Sequence, residues 1–202
     1  MPSILELLEQ FRAMVPIHSG EIVAEEEVVY ENILLPSESW DKSIVESTLG
    51  VVLPAEVGEF WDICSSLYLL QDATFGQSGL FLWSAEYVLS AQATMLATRD
   101  DHYILGDLVL GVLIGISEMV VVRCDPQDED YGSITIALEI YPREDWPIVA
   151  SSLSEFLAAY WNNNGGRYWE DSTFPGRRRR SDTPDPVNTY RPGEWGESSH
   201  SG

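Results

Sequence analysis

Three carboxylate runs and one histidine are the side chains whose type and spacing allow chemistry in this 202-residue chain. Asp100-Asp101-His102 sets an imidazole behind two acids, the raw material for proton transfer near neutral pH. A lone histidine beside carboxylates is most often a solvated surface group, so a hydrolase built around His102 is the least favoured of three readings. Asp125-Pro126-Gln127-Asp128-Glu129-Asp130-Tyr131-Gly132 is denser in acid. Asp128-x-Asp130-x-Gly132 resembles the opening of a calcium loop, but glycine stands where a third oxygen ligand belongs. No metal site is expected there. Glu25-Glu26-Glu27 is the third run.

Signatures of catalysis are missing. The chain has no Gly-x-Gly-x-x-Gly, no Walker-type loop, no His-Glu-x-x-His and no Gly-x-Ser-x-Gly. The expectation is a protein that is not an enzyme and uses no cofactor. Attraction is the remaining use for so much acid. Glu25, Glu26, Glu27, Asp100, Asp101, Asp125, Asp128, Glu129 and Asp130 are candidate contacts for a basic protein surface. Acids on a hairpin tip and a nearby loop imitate the phosphates that a nuclease expects.

Net charge points the same way. Residues 1–169 carry 27 acidic and 6 basic side chains, a net of −21, whereas residues 170–202 carry 6 and 5, a net of −1. A body charged in this way repels nucleic acid and anionic membrane and draws in cations. Direct nucleic-acid binding by the folded part is excluded for want of a basic footprint. Cys64 and Cys124 are the two cysteines; both sit in apolar runs and read as buried thiols. The N-terminal stretch lacks a basic region and a small-residue cleavage site, so a cytoplasmic protein is expected.

The elements that must position these groups can be read from periodicity. Residues 3–15 form an amphipathic helix starting at Ser3, with Ile4, Leu8, Phe11 and Val15 on one face and Leu5 and Leu7 widening it. Residues 16–36 read as a connector. Trp40, Ile44, Val45, Thr48 and Leu49 define a second helix, with Ser39 as candidate cap and Asp41 suited to the positive helix start. Gly50 suits a left-handed stop, and Pro54 the first turn of a helix running to about Leu67. Leu67–Leu70 and Leu80–Trp83 read as short strands parted by glycines. Ser84 to about Ala97 is helical, with Tyr87, Val88, Ala91 and Met95 on one side.

Ile104 to Val122 is apolar enough to suggest a membrane span. Asp107, Glu118 and three glycines break it into two buried strands, 108–114 and 119–124. A hairpin with a long acidic tip then leads to a strand at 133–141. Ser152 followed by Glu155 opens the last helix, whose inner face holds Leu153, Phe156, Leu157, Tyr160 and Trp161. Residues 1–169 are thus expected as one globular domain. Residues 170–202 read as a disordered polar tail carrying the run Arg177–Arg180, able to touch nucleic acid or to fold back on the acidic body. The fold class is α+β, with amphipathic helices packed on one face of a mostly antiparallel sheet.

Two of these stretches together carry a resemblance. Leu49, Gly50, Leu53, Pro54 and Phe60 match a helix corner, and Ala150, Ser152, Glu155, Phe156 and Leu157 match a terminal helix. In that order, with strands between them, they resemble the SUKH superfamily of bacterial immunity proteins and fungal cell-wall regulators, over roughly residues 40–162. This chain departs from the family after the corner, where Cys64-Ser65-Ser66 replaces the usual glycine-rich turn. The resemblance implies an immunity protein that neutralises a cognate toxin domain, often a nuclease, by occlusion. A regulatory scaffold with no toxin partner is the alternative that the fungal members imply.

Overall fold

Reading along the chain, the elements are α1 (Ile4–Ala13), β1 (Ile17–Val23), β2 (Glu26–Pro36), α2 (Lys42–Leu49), α3 (Ala55–Ile63), β3 (Cys64–Asp72), β4 (Gly79–Leu82), α4 (Ala85–Thr98), β5 (Asp107–Ile114), β6 (Glu118–Arg123), β7 (Ile134–Ala137), β8 (Ile148–Ala150) and α5 (Leu153–Asn162). The structure, a computed structural model, describes residues 2–98, 103–116, 118–138 and 141–174. All eight strands pair antiparallel in sequence order in one sheet, so the fold is α+β.

That order fixes where the connections lie. Neighbouring strands reverse direction, so the β1–β2, β3–β4 and β5–β6 turns share one end of the sheet. The β7–β8 link also starts there before it doubles back to carry Arg143 onto Asp107. The links carrying α2 and α3, α4, and the acidic loop lie at the other end, together with the exit into α5. Side chains alternate across a strand. Leu67, Leu82, Val120 and Ile136, linked by the strand register, are fully buried, whereas Tyr68, Phe81, Val112 and Met119 form a half-buried row on the opposite side. Gly111 completes the buried row because backbone crowds it: a Cβ there would lie 2.3 Å from the Phe81 carbonyl oxygen. Helices α1, α3 and α5 pack on one another and reach β2, β3 and β8, and α4 packs on β5 and α2.

Local chemistry explains the helix ends. In α1 the Ser3 hydroxyl accepts from the Glu6 amide, and the Glu6 carboxylate accepts from the Ser3 amide at 2.8 Å, a reciprocal cap. Gly50 ends α2 at φ +67°, a conformation that costs glycine little.

Several expectations are corrected. Residues 17–36 are a hairpin, not a connector, and its turn residues Ala24 and Glu25 both have positive φ (49° and 72°), as a two-residue hairpin turn requires. Helix α1 stops before Val15, which is exposed, as is Leu5. Asp41, not Ser39, caps α2, accepting from the Ser43 and Ile44 amides at 2.8 and 3.3 Å. Pro54 is the cap of α3 instead of its first-turn residue. That helix ends at Ile63, where Cys64 turns extended and starts β3. Tyr87 points outward, β7 is shorter than expected, and β8 had been read as part of the terminal-helix stretch.

Candidate functional site

The two stretches that carry the family resemblance meet in space. Glu56, in the first turn of α3, accepts from the Ser154 amide at 2.8 Å and from its hydroxyl at 2.7 Å. Ser154 stands in the first turn of α5, whose amides lack helical partners. Ser152 caps the neighbouring Glu155 amide. The Glu155 carboxylate turns back to Ser151, accepting from its amide at 2.7 Å and from its hydroxyl. Those bonds hold the Glu155 carboxyl below its usual range, the hydroxyl bond contributing most. The expected capping box is therefore shifted by one residue on its return side.

The acidic loop lies against this corner. The Val52 amide donates to the Cys124 carbonyl at 3.0 Å, and the Cys124 amide donates to the Gly106 carbonyl at 2.6 Å. Three backbone segments thus run side by side at one end of the sheet. Gly132, which closes the loop, faces Pro54.

Beneath the loop is a buried ionic cluster that begins with the strand register, which pairs Asp107 with Arg123. The Asp107 side chain is fully buried and that of Arg123 is 5% exposed. Arg143 grips the Asp107 carboxylate with Nε at 2.9 Å and an Nη at 2.8 Å, a bidentate fork. Arg123 adds an Nη at 3.3 Å and also donates to the Leu105 carbonyl at 2.6 Å. Its outer edge is ringed by Asp128 in close contact, Asp125 at 3.5 Å and Asp130 at 3.9 Å. Burial works to lower the Arg123 pKa, but Asp128, Asp107 and Asp130 outweigh it and hold the guanidinium above its ordinary value. Gln92 of α4 braces the cluster from behind, donating to the Asp107 carbonyl at 2.9 Å and accepting from the Val109 amide at 3.0 Å.

Above the cluster opens a cleft of about 460 Å³. Its apolar walls are Ile104 and Ile148, and its polar lining among the described residues is carboxylate or guanidinium, with Glu129 and Glu144 at the exposed rim. Among the described residues its lining sets the carboxylates of Asp128, Glu129, Asp130 and Glu144 against the guanidiniums of Arg123 and Arg143, an excess of two negative charges. Among the described residues the lining offers no nucleophilic hydroxyl or thiol. What such a site can do is hold a cation.

The structure divides the predicted contact residues. Asp125, Asp128, Glu129 and Asp130 share the cleft end, three of them already engaged by Arg123. Glu25, Glu26 and Glu27 sit on the β1–β2 turn at the opposite end. There the Glu27 carboxylate accepts from the Gly20 amide at 3.1 Å and pairs with His18 at 2.9 Å; the His18 bond, followed by the Gly20 bond, holds its carboxyl below the usual range. Asp100, Asp101 and His102 lie outside the described residues. Reading by sequence missed Asp107, Arg123, Arg143, Glu144 and Glu56. A signal existed for the first two, each being the lone charge at one end of an apolar strand in a hairpin.

Among the described residues, no group of His, Cys, Asp and Glu is arranged to hold a metal ion, and no helix is long and apolar enough to cross a membrane. Compared with known proteins, the chain matches no family model and no curated sequence.

Proposed function

We propose that this chain is a binding protein that captures a basic protein partner at the cleft end of the sheet and blocks it by occlusion. The observation carrying this reading is a cleft lined by four carboxylates against two guanidiniums, on a body whose net charge is −21 over residues 1–169. Such a surface speeds encounter with a cationic partner and orients it. Resemblance to SUKH immunity proteins supports a cognate toxin domain, often a nuclease, as that partner. Its basic residues then meet carboxylates in place of phosphates. Glu25–Glu27, on the β1–β2 turn at the opposite end of the sheet, form a separate acidic patch.

The test is association of the purified chain with the basic domain encoded by the neighbouring reading frame, followed by stopped flow. Raising salt from about 50 to about 500 mM shrinks the Debye length several-fold and should slow association at least about tenfold. Glu129→Gln with Glu144→Gln should slow it at low salt only. Failure to form a complex, or a rate flat in salt, would sink the proposal.

A further inference from the structure

We infer that the chain's own four-arginine run, Arg177–Arg180, docks into the acidic cleft. Where the described chain ends makes this specific. The Tyr168 hydroxyl donates to the Val149 carbonyl at 3.1 Å, and the Phe174 ring packs edge-on against Tyr168 with centroids 5.5 Å apart. Val149 is the strand neighbour of Ile148, which forms one wall of the cleft. The last described residue thus packs on a ring whose hydroxyl reaches the β8 edge next to Ile148. Arg167, just before that ring, pairs with Glu118 at the start of β6. Only Pro175 and Gly176 separate Phe174 from Arg177. At about 3.3–3.6 Å per extended residue, the four arginines can reach roughly 10–20 Å from Phe174.

Chemistry matches the reach. A run of arginines meets a cleft lined by four carboxylates, two more than its own guanidiniums. Glu129 and Glu144 stand exposed at the rim, where each carboxylate can accept a two-pronged bond from a planar guanidinium. Ile104 and Ile148 offer apolar surface to the methylene stems. A short tether raises the local arginine concentration to the millimolar range, so individually weak pairs add up. The other acidic run, Glu25–Glu27, is at the opposite end of the sheet and up to six strand spacings away, about 29 Å sideways. The tether favours the near site. Docking of the run needs no external partner, so it stands or falls separately from the proposed function. Where both hold, the run competes with the partner for the same carboxylates.

The experiment uses the full chain with Ser181→Cys carrying a nitroxide label, since both native thiols are buried. Amide signals of Asp128–Asp130, Glu144 and Ile148 should lose at least about half their intensity. They should recover when Arg177–Arg180 are all replaced by glutamine, and also at about 0.5 M salt. The substitutions lie beyond the described fold, so unchanged signals elsewhere verify folding. Four results overturn the proposal: broadening identical with arginine and glutamine tails; broadening centred on Glu25–Glu27; broadening undiminished by Glu129→Gln with Glu144→Gln; or equal broadening when label and isotope sit on different molecules.

Discussion

Glu56 and Ser154 are 98 positions apart, yet the carboxylate of one takes both the amide and the hydroxyl hydrogen of the other, at 2.8 and 2.7 Å. This tie fastens the start of α3 to the start of α5 across a mutually packed trio of helices. It also places a negative charge at the positive end of α5, an arrangement favoured by the helix dipole.

Removing that carboxylate should be costly. Glu56→Ala leaves the Ser154 amide without its acceptor, and a hydrogen bond to a charged group contributes about 1.5–3 kcal/mol. Ser154→Ala removes the hydroxyl bond to Glu56 and the contact with the Ser152 hydroxyl but keeps the amide bond, and should cost about 1 kcal/mol. Urea denaturation of both variants measures the difference; equal losses would refute the dominant role given to the amide bond.

Asp107 is the keystone of the buried cluster. Asp107→Asn removes the charge facing Arg123 and Arg143 and leaves two guanidiniums in a site where Asp107 itself is fully buried. Breaking a buried pair by deleting one partner costs about 3–5 kcal/mol. Denaturant midpoints report the loss. Tryptophan fluorescence should also shift, because Arg143 stands 5.6 Å from the Trp146 ring.

Stability should fall on the acid side through Glu155. Its carboxyl is held below the ordinary value by Ser151, so the folded state binds a proton there less readily than the unfolded chain. The stabilisation is complete above the unfolded value, about 4.3, and vanishes as pH drops through the folded value. Urea midpoints of the native chain and of Glu155→Gln should differ by a constant amount above about pH 5 and converge on acidification. A gap that persists unchanged to pH 3, about one unit below the unfolded value, would contradict this assignment.

Both thiols should be silent in the folded protein. Burial pushes Cys64 up to about 12 and raises Cys124 further above the ordinary thiol range, and thiolate is the reactive form. Ellman's reagent at about pH 8, close to the unperturbed thiol value, should find no reactive sulfur until denaturant is added, and then two. Rapid labelling in native buffer would show that one of the sites opens.

Much of the fold was legible wherever a local rule had one solution. Ser3, Gly50 and Ser152 marked helix ends because their roles depend on nearby backbone alone. The apolar strands β5 and β6 were evident because charged residues and glycines punctuate them. The β1–β2 hairpin was hidden, since β1 is exposed at every position and so shows no alternation, and its turn lacks glycine at both positive-φ sites. The α3–β3 junction was hidden because Cys64 ends one element and begins the next, leaving no loop to see. At the candidate site, the acidic loop was legible as composition. Its inward turn onto Arg123 was not, because that depends on the pairing of β5 with β6 and on Arg143 arriving from 36 positions beyond Asp107.

An open ladder of eight strands exposes two rails to which a neighbouring chain can add, and this protein spoils each rail by a different device. On β1 the pairing slips between His18 and Ile22. The amides of Gly20 and Glu21 turn to the side chains of Glu27 and Ser19 at 3.1 and 3.0 Å. Such a detour breaks the even spacing that a docking strand would need. On β8 the rail is only Ile148–Ala150, and the Tyr168 hydroxyl occupies the Val149 carbonyl. Stacking of copies edge to edge into fibrils is thereby discouraged at both margins.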